Sequence, residues 1–405
     1  MNQLTQLNRP GEPETVEFDP AVSSAHLRVA VISDAAPGRN GVGAYYQDLL
    51  EQLAPHFEQV VLLSPRLENG RWKTGLAFPL PGDRTQKLCI PNPRSLGRAL
   101  RALNPQVVIV ATPGPYGLLG ARLASGLKLP VLAGFHTSFE QLTQLYWQGS
   151  WRGRLVHSLF ARSHRYLFRR SRCVLGNSRA MLALAERMGA AATCLIGTPV
   201  SADFALAERT PYSGELKRVL FAGRLAAEKN LDAVLDAARA HPGLQFSLAG
   251  DGPLRQSLER AAVELPNVRL LGWLSREQLR DEVDGHDLLL LPSHFESFGT
   301  IALEVMARRR LVLVSSGCGI TQWPQLRAGL CVMEEGETAA QALTRLGEQT
   351  PVERLACAES AEAAALALNT DCLNHWRALL VHTAEARATL PEVKPRLATP
   401  ASVSS

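Results

Sequence analysis

The sequence predicts an α/β protein built of two doubly wound, parallel-sheet domains. Three observations carry that expectation. Short apolar, β-branched runs alternate with stretches of helical apolar spacing along nearly the whole chain. At 405 residues the chain exceeds one ordinary domain and fits two of about 150 to 200 residues. A polar stretch with Pro and Gly, ERTPYSGELKR at 208–218, separates the alternating runs near the middle.

The strand candidates follow in order. LRVAVIS (27–33), VVLLSP (60–65), VVIVAT (107–112), PVLAGFHT (130–137) and CVLGNS (173–178) form the first set. VLFAG (219–223), QFSLAG (245–250), VRLLG (268–272), DLLLLPS (287–293) and LVLVSS (311–316) form the second. Between them lie helical patterns such as LDAVLDAARA (231–240) and TIALEVMARR (300–309). The expected division is an N-terminal extension 1–25, a first domain 26–207, a second domain 208–370, a C-terminal helix 371–390 and a disordered tail 391–405.

Hydrophobic residues at 46% and charged residues at 20% allow large cores and exclude a disordered chain. No run approaches 18 uninterrupted apolar residues, so no spanning helix is expected. The first 20 residues have neither a basic start nor an apolar run, so no signal peptide is expected there. Seven cysteines are scattered without a CxxC pair, which suits a reducing, cytoplasmic setting and not zinc or a disulfide framework. Residues 1–200 carry 22 Lys/Arg against 12 Asp/Glu, whereas the remainder carries 21 against 26. A basic first half suggests an anionic partner: an anionic lipid surface or nucleic acid.

In doubly wound folds ligands sit at the C-terminal ends of strands, near helix N-termini. HFESFGTIALEVMA (294–307) occupies such a place. A helix beginning near Phe298 or Gly299 leaves the amides of Phe298, Gly299 and Thr300 free for phosphate. Glu296 and Glu304 could accept from vicinal sugar hydroxyls, or Glu296 could simply cap the helix. In VLFAGRLAAEKN (219–230), Gly223 and Arg224 follow a strand and Lys229 comes five residues later. Two cations there suit a diphosphate, and a surface loop with an Arg224–Glu228 pair is the plainer alternative. AGDGP (249–253) is foremost turn chemistry.

Together, GRLAAEKN, AGDGP, LGWLS and the Glu–seven residues–Glu segment with ESFG resemble the nucleotide-sugar domain of retaining GT-B glycosyltransferases of the family-four group. The likeness is close over about 217–310 and extends in layout to the whole chain. It implies that Arg224 and Lys229 hold the donor diphosphate, Glu296 the donor sugar and Glu304 the ribose. Amides of Phe298, Gly299 and Thr300 would serve phosphates and sugar, and Trp273 and Leu274 would border the base. After the first strand, Gly38, Gly41 and Gly43 precede a helix. Alone this is a weak signal, but the family's corresponding loop approaches the donor phosphates. FHT followed by an aromatic resembles the acceptor-side signature of lipid-glycosylating members, which would put His136, with Thr137 beside it, at the reaction centre. No resident cofactor or metal is implied: the nucleotide-diphosphate sugar is a co-substrate. DGHD (284–287) is taken as a turn and not a metal motif. Two segments depart from the family pattern, SSGCGITQWPQ (315–325) and GTPVSADF (197–204), and they bear on acceptor detail and domain coupling.

GRLVHSLFARSHRYLFRRSR (153–172) places Arg154, Arg162, Arg165, Arg169 and Arg172 within an arc of roughly 80° at helical spacing. A solvated face and a membrane-docking face are both compatible with it. The expected activity is a metal-independent, retaining transfer of a hexose from a UDP- or GDP-linked donor to a lipid or lipid-linked acceptor, by an enzyme peripheral on the cytoplasmic face of a membrane. The rivals are the same chemistry on a soluble acceptor, an epimerase of this fold, and a basic nucleic-acid- or membrane-binding protein.

Overall fold

The computed structural model describes residues 24–36, 41–65, 67–68, 71–72, 76–80, 83–136 and 151–388. Residues 1–23 of the expected extension, the tail 391–405, Gly38 and Thr137 lie outside the described residues.

Two six-stranded parallel sheets form the scaffold. The first runs Thr193–Leu195, Cys173–Gly176, Val131–Phe135, Val107–Val110, Arg28–Ile32, Gln59–Leu63 across its width. The second runs Val268–Gly272, Gln245–Ala249, Arg218–Ala222, Leu288–Leu291, Leu311–Val314, Cys331–Val332. Helices cover both faces, so the central strands are buried end to end: Val107–Val110, Leu288–Leu291 and Leu311–Val314 have no exposed residue. Strand order reverses between Arg28–Ile32 and Val107–Val110, and again between Arg218–Ala222 and Leu288–Leu291. These two switch points open crevices at the carboxyl ends of their strands.

All ten strand candidates are found. Edge strands Thr193–Leu195 and Cys331–Val332, and the hairpin Ala77–Leu80/Asp83–Cys89, went unpredicted. Those two edge strands are three and two residues long, too short to leave a periodic record, and DRTQKLC carries no continuous apolar run.

The C-terminal helix is longer than expected. It runs unbroken over Pro351–Ala388, so the expected start at 371 falls inside it. Its side chains as far as Leu368 pack into the second domain's core, and Cys372, Trp376, Leu379, Leu380 and Val381 pack into the first. Trp376 is fully buried there and its indole Nε1 donates to the Tyr45 hydroxyl at 3.2 Å.

The basic helix is shorter than expected. It spans Trp151–Phe168, and Arg169 and Arg172 lie beyond its end. The chain must turn there to enter strand Cys173–Gly176: Ser171 N bonds the Phe168 carbonyl at 3.1 Å and Arg172 N bonds Val131 O at 2.8 Å. The five arginines therefore do not share one helical face. Arg154, Arg162, Arg165 and Arg169 are exposed, as are Leu155 and Leu159 at 53% each, while Arg172 is half-buried.

Candidate active site

The second switch point gathers the motifs around 219–230 and 292–300. Strand Arg218–Ala222 ends at Gly223, whose backbone takes φ +157. The turn at 250–253 packs directly on it, and a Cβ at Gly250 (φ +137) would stand 1.8 Å from the Gly223 carbonyl oxygen. Gly223 N bonds Ala249 O at 3.0 Å and Leu225 N bonds Asp251 O at 3.0 Å. AGDGP thus buttresses the Arg224 loop, as its turn chemistry suggested.

The EKN segment then leans across the crevice. His294 N bonds the Glu228 carbonyl at 2.9 Å, and Asn230, left-handed at φ 53, donates its side-chain amide to Pro292 O at 3.1 Å. Lys229 is thereby delivered to Glu296, and its Nζ donates to Glu296 Oε2. Their side chains are 14% and 20% exposed. Burial opposes the Lys229 charge, but the Glu296 carboxylate outweighs it and holds the ammonium above its usual range. Arg224 meets Glu228 at 3.2 Å, the pairing the plainer reading foresaw.

Beyond Glu296 the chain enters helix Thr300–Ala307 through Gly299, whose left-handed φ of 96 disfavours any other residue. Gly299 supplies no side-chain cap, so the first turn presents backbone amides suited to an anion. Phe298 is buried edge-on to Trp323, Gly299 is buried and Thr300 half-buried. The SSGCGITQWPQ loop backs this turn. Glu296 bridges Cys318, and a Cβ at Gly319 would come 2.0 Å from Ser297 O. The same loop joins the domains, because Trp323 Nε1 donates to Asn177 O at 3.0 Å. Gln325 is exposed. Trp273 is exposed beyond strand Val268–Gly272, and Leu274 packs partly into the core beside it.

Glu304 sits apart from Glu296. It is buried on helix Thr300–Ala307, and Arg276 Nη1 donates to its Oε1 at 2.8 Å. The other guanidinium nitrogen donates to Asp48 Oδ2 of the first domain at 2.7 Å. Burial raises both carboxyls, Asp48 to about 7, with Arg276 opposing and Glu304 and Glu51 reinforcing the Asp48 shift. A folded Asp48 that keeps its proton up to about 7, against 3.8 for the free acid, binds more protons than the unfolded chain between those values. Folding stability therefore falls as pH rises through that window. Urea midpoints measured from pH 4 to 8 are expected to show the fall, and Asp48→Asn to flatten it; an unchanged slope in the variant would assign it to other groups.

From the first domain, Gly41 opens helix Gly41–Leu53 with no atom of the described residues within 4 Å of its Cβ position, and Gly43 is buried on the same turn. His136 closes strand Val131–Phe135. Its Nε2 meets the Tyr46 hydroxyl at 2.9 Å, and Tyr45 lies against its ring at 4.7 Å. Burial lowers its pKa to about 4, so the imidazole is neutral. Both aspartates of DGHD are engaged by protein donors: Asp284 by Arg308 at 2.9 Å and Asp287 by Lys217 N at 2.8 Å. Sequence reasoning missed Arg276, Asp48 and Tyr46. They lie mid-helix or at a helix start with ordinary spacing: packing within the first domain brings Tyr46 to His136, and packing between the domains brings Asp48 to Arg276.

Two family profiles cover the chain in succession: the Glycosyl transferase 4-like domain over residues 40–197 and Glycosyl transferases group 1 over residues 206–362. An alpha-D-kanosaminyltransferase from Streptomyces kanamyceticus is 34% identical over 111 residues, 26% of this chain and 29% of that protein's own length. A GDP-mannose-dependent alpha-mannosyltransferase from Mycolicibacterium smegmatis is 25% identical over 69% of this chain and 77% of its own. A GDP-mannose-dependent phosphatidylinositol dimannoside mannosyltransferase from Mycobacterium tuberculosis is 33% identical over 34% of this chain and 37% of its own. Among solved structures, HepE of Anabaena in complex with UDP and glucose superposes with TM-score 0.62 at 17% identity, covering 90% of this chain and all of that one. Two parallel-sheet domains and the two profiles, one over each, agree: the chain belongs to the group 1 glycosyltransferases of the GT-B fold.

Proposed function

We propose that this protein is a retaining hexosyltransferase that moves a hexose from a UDP- or GDP-linked donor to a lipid or lipid-linked acceptor, peripherally on the cytoplasmic face of a membrane. The observation that carries the donor half is the Lys229–Glu296 pair at the second switch point, beside the Gly299-capped helix. A diphosphate competes with Glu296 for Lys229, and the released carboxylate then accepts from sugar hydroxyls. As the bond from the anomeric carbon to the diphosphate oxygen breaks, charge grows on that oxygen. Arg224, Lys229 and the amides of Phe298, Gly299 and Thr300 oppose it without a metal ion. Glu304 holds the ribose, Trp273 and Leu274 border the base, and Gly41 and Gly43 approach the phosphates. Neutral His136, anchored by Tyr46, donates to or accepts from the transferred sugar. The acceptor hydroxyl attacks from the face the diphosphate leaves and passes its proton to the departing diphosphate oxygen, which preserves the anomeric configuration.

The acceptor half rests on the exposed Arg154, Arg162 and Arg165 with Leu155 and Leu159 on one helix, and on the lipid acceptor named for the Mycobacterium tuberculosis relative. No helix among the described residues is long and apolar enough to cross a membrane. Each exposed arginine near an anionic bilayer contributes about 1 kcal/mol. Co-sedimentation with vesicles containing anionic phospholipid is expected to fall at least tenfold in Arg154→Glu/Arg162→Glu/Arg165→Glu. Equal sedimentation of wild type and variant would favour a soluble acceptor. The donor is tested first, by thermal shift with UDP-, GDP- and ADP-sugars in the presence of chelator. A ligand at a hundred times its Kd adds about 2.7 kcal/mol. A shift with one base names the donor, and no shift with any would overturn the donor assignment.

A further inference from the structure

Arg276 joins elements that are far apart in sequence. It is the first residue of helix Arg276–Asp284, which is fixed by a capping box of Ser275 and Gln278. Its guanidinium spans Glu304 in the second domain and Asp48 in the first, at 2.8 and 2.7 Å. The ring of Phe204, packed in the second domain's core, lies 5.1 Å below it. The two carboxylates are 3% and 6% exposed, whereas the Arg276 side chain is 28% exposed, so the cation is the part of the cluster that reaches solvent. A planar fork with fixed donor directions orients a carboxylate where a point charge would not. A carboxylate offers about four acceptor positions, so one N–H on Oε1 leaves Glu304 room for two hydroxyls.

We propose that Arg276 is a positioning residue for the donor: it holds Glu304 in the orientation that reads the ribose hydroxyls and, through Asp48, ties that orientation to the first domain. The inference rests on the reading of Glu304 as the ribose carboxylate. Ribose recognition is then assembled across both domains, although the first contributes no direct ribose contact. An arginine that merely braced the domains would affect every nucleotide alike.

The test compares Kd values by calorimetry for GDP and UDP, each against its 2′,3′-dideoxy counterpart, in the wild type, Arg276→Met, Asp48→Asn and Glu304→Gln. Wild type is expected to bind the ribose form of its preferred nucleotide on the order of 10- to 100-fold more tightly, as for hydrogen bonds to a charged group. In Arg276→Met that ratio is expected to shrink to about threefold or less, because the ribose form weakens and the dideoxy form does not. At pH 8, above the titration of Asp48, Asp48→Asn should give an intermediate ratio. If both nucleotides weaken equally in Arg276→Met, Arg276 is only a brace and the inference fails. Glu304→Gln separates the two levels. Should it collapse the ratio while Arg276→Met preserves it, the ribose reading stands and this inference alone falls. Should Glu304→Gln keep the wild-type ratio, or wild type show no preference or bind neither nucleotide, the ribose reading falls and this inference with it. If Arg276→Met does not fold, Arg276→Lys takes its place, with a ratio at least threefold below wild type expected and an unchanged ratio overturning the proposal.

Discussion

Lys229→Ala is expected to lower kcat/KM by about 10²- to 10³-fold, the usual effect of deleting one group that stabilises developing charge. Lys229 is buried with Glu296 as its partner, and a diphosphate leaving group needs that cation more than the ground state does. The change also leaves Glu296 without its ammonium, at a cost of about 1–3 kcal/mol for a poorly solvated acceptor. Stability and activity can therefore be separated. Glu296→Gln alone should also cut turnover sharply with little loss of folding, since the amide still accepts from Lys229 but binds sugar hydroxyls less well. Lys229→Ala/Glu296→Gln should recover most of the lost stability and none of the turnover. Turnover would be followed as release of nucleoside diphosphate from the donor selected by thermal shift. If Lys229→Ala and Glu296→Gln both stay within threefold of wild type, the donor-site assignment is wrong.

Arg308→Ala is expected to cost about 3–5 kcal/mol in urea unfolding, the penalty for breaking a buried, hydrogen-bonded charge pair. Arg308 is 1% exposed. Its Nε donates to Asp284 Oδ1 at 2.9 Å, and its Nη1 and Nη2 donate to the carbonyls of Ala207 and Glu208, each at 2.6 Å. It therefore pins the start of the interdomain linker to the foot of the second sheet. Arg308→Lys should recover only part of the loss, because one ammonium cannot reach a carboxylate and separated carbonyls in the fixed directions of a guanidinium. A loss below 1 kcal/mol would show that water replaces the arginine at those carbonyls.

How much of this was legible varied with the range of the interaction. GRLAAEKN and the ESFG segment were readable because their chemistry is local. A left-handed Gly299 before a helix, a cation loop after a strand and a carboxylate between them are set by neighbours in sequence. The pairing of Lys229 with Glu296 was not, since it depends on Asn230 and Glu228 reaching across the switch point. Both cysteines of the half-buried pair, Cys331 and Cys357, looked scattered in sequence, yet their sulfurs stand 3.9 Å apart. Arg169 and Arg172 satisfied helical spacing, but the following strand ended the helix before them.

By itself the sequence determined the two doubly wound domains, all their central strands, and the residue types at the second domain's switch point. Hydrophobic periodicity and turn chemistry act over a few residues, and burial on both faces leaves a continuous apolar record. The tertiary structure alone decided where the C-terminal helix changes domains, which carboxylate takes which cation, and that Asp48 and Glu304 share Arg276. These depend on side chains 28 (Arg276 and Glu304), 67 (Lys229 and Glu296) and 228 (Arg276 and Asp48) positions apart, whose charges become strong only after packing has removed the water between them.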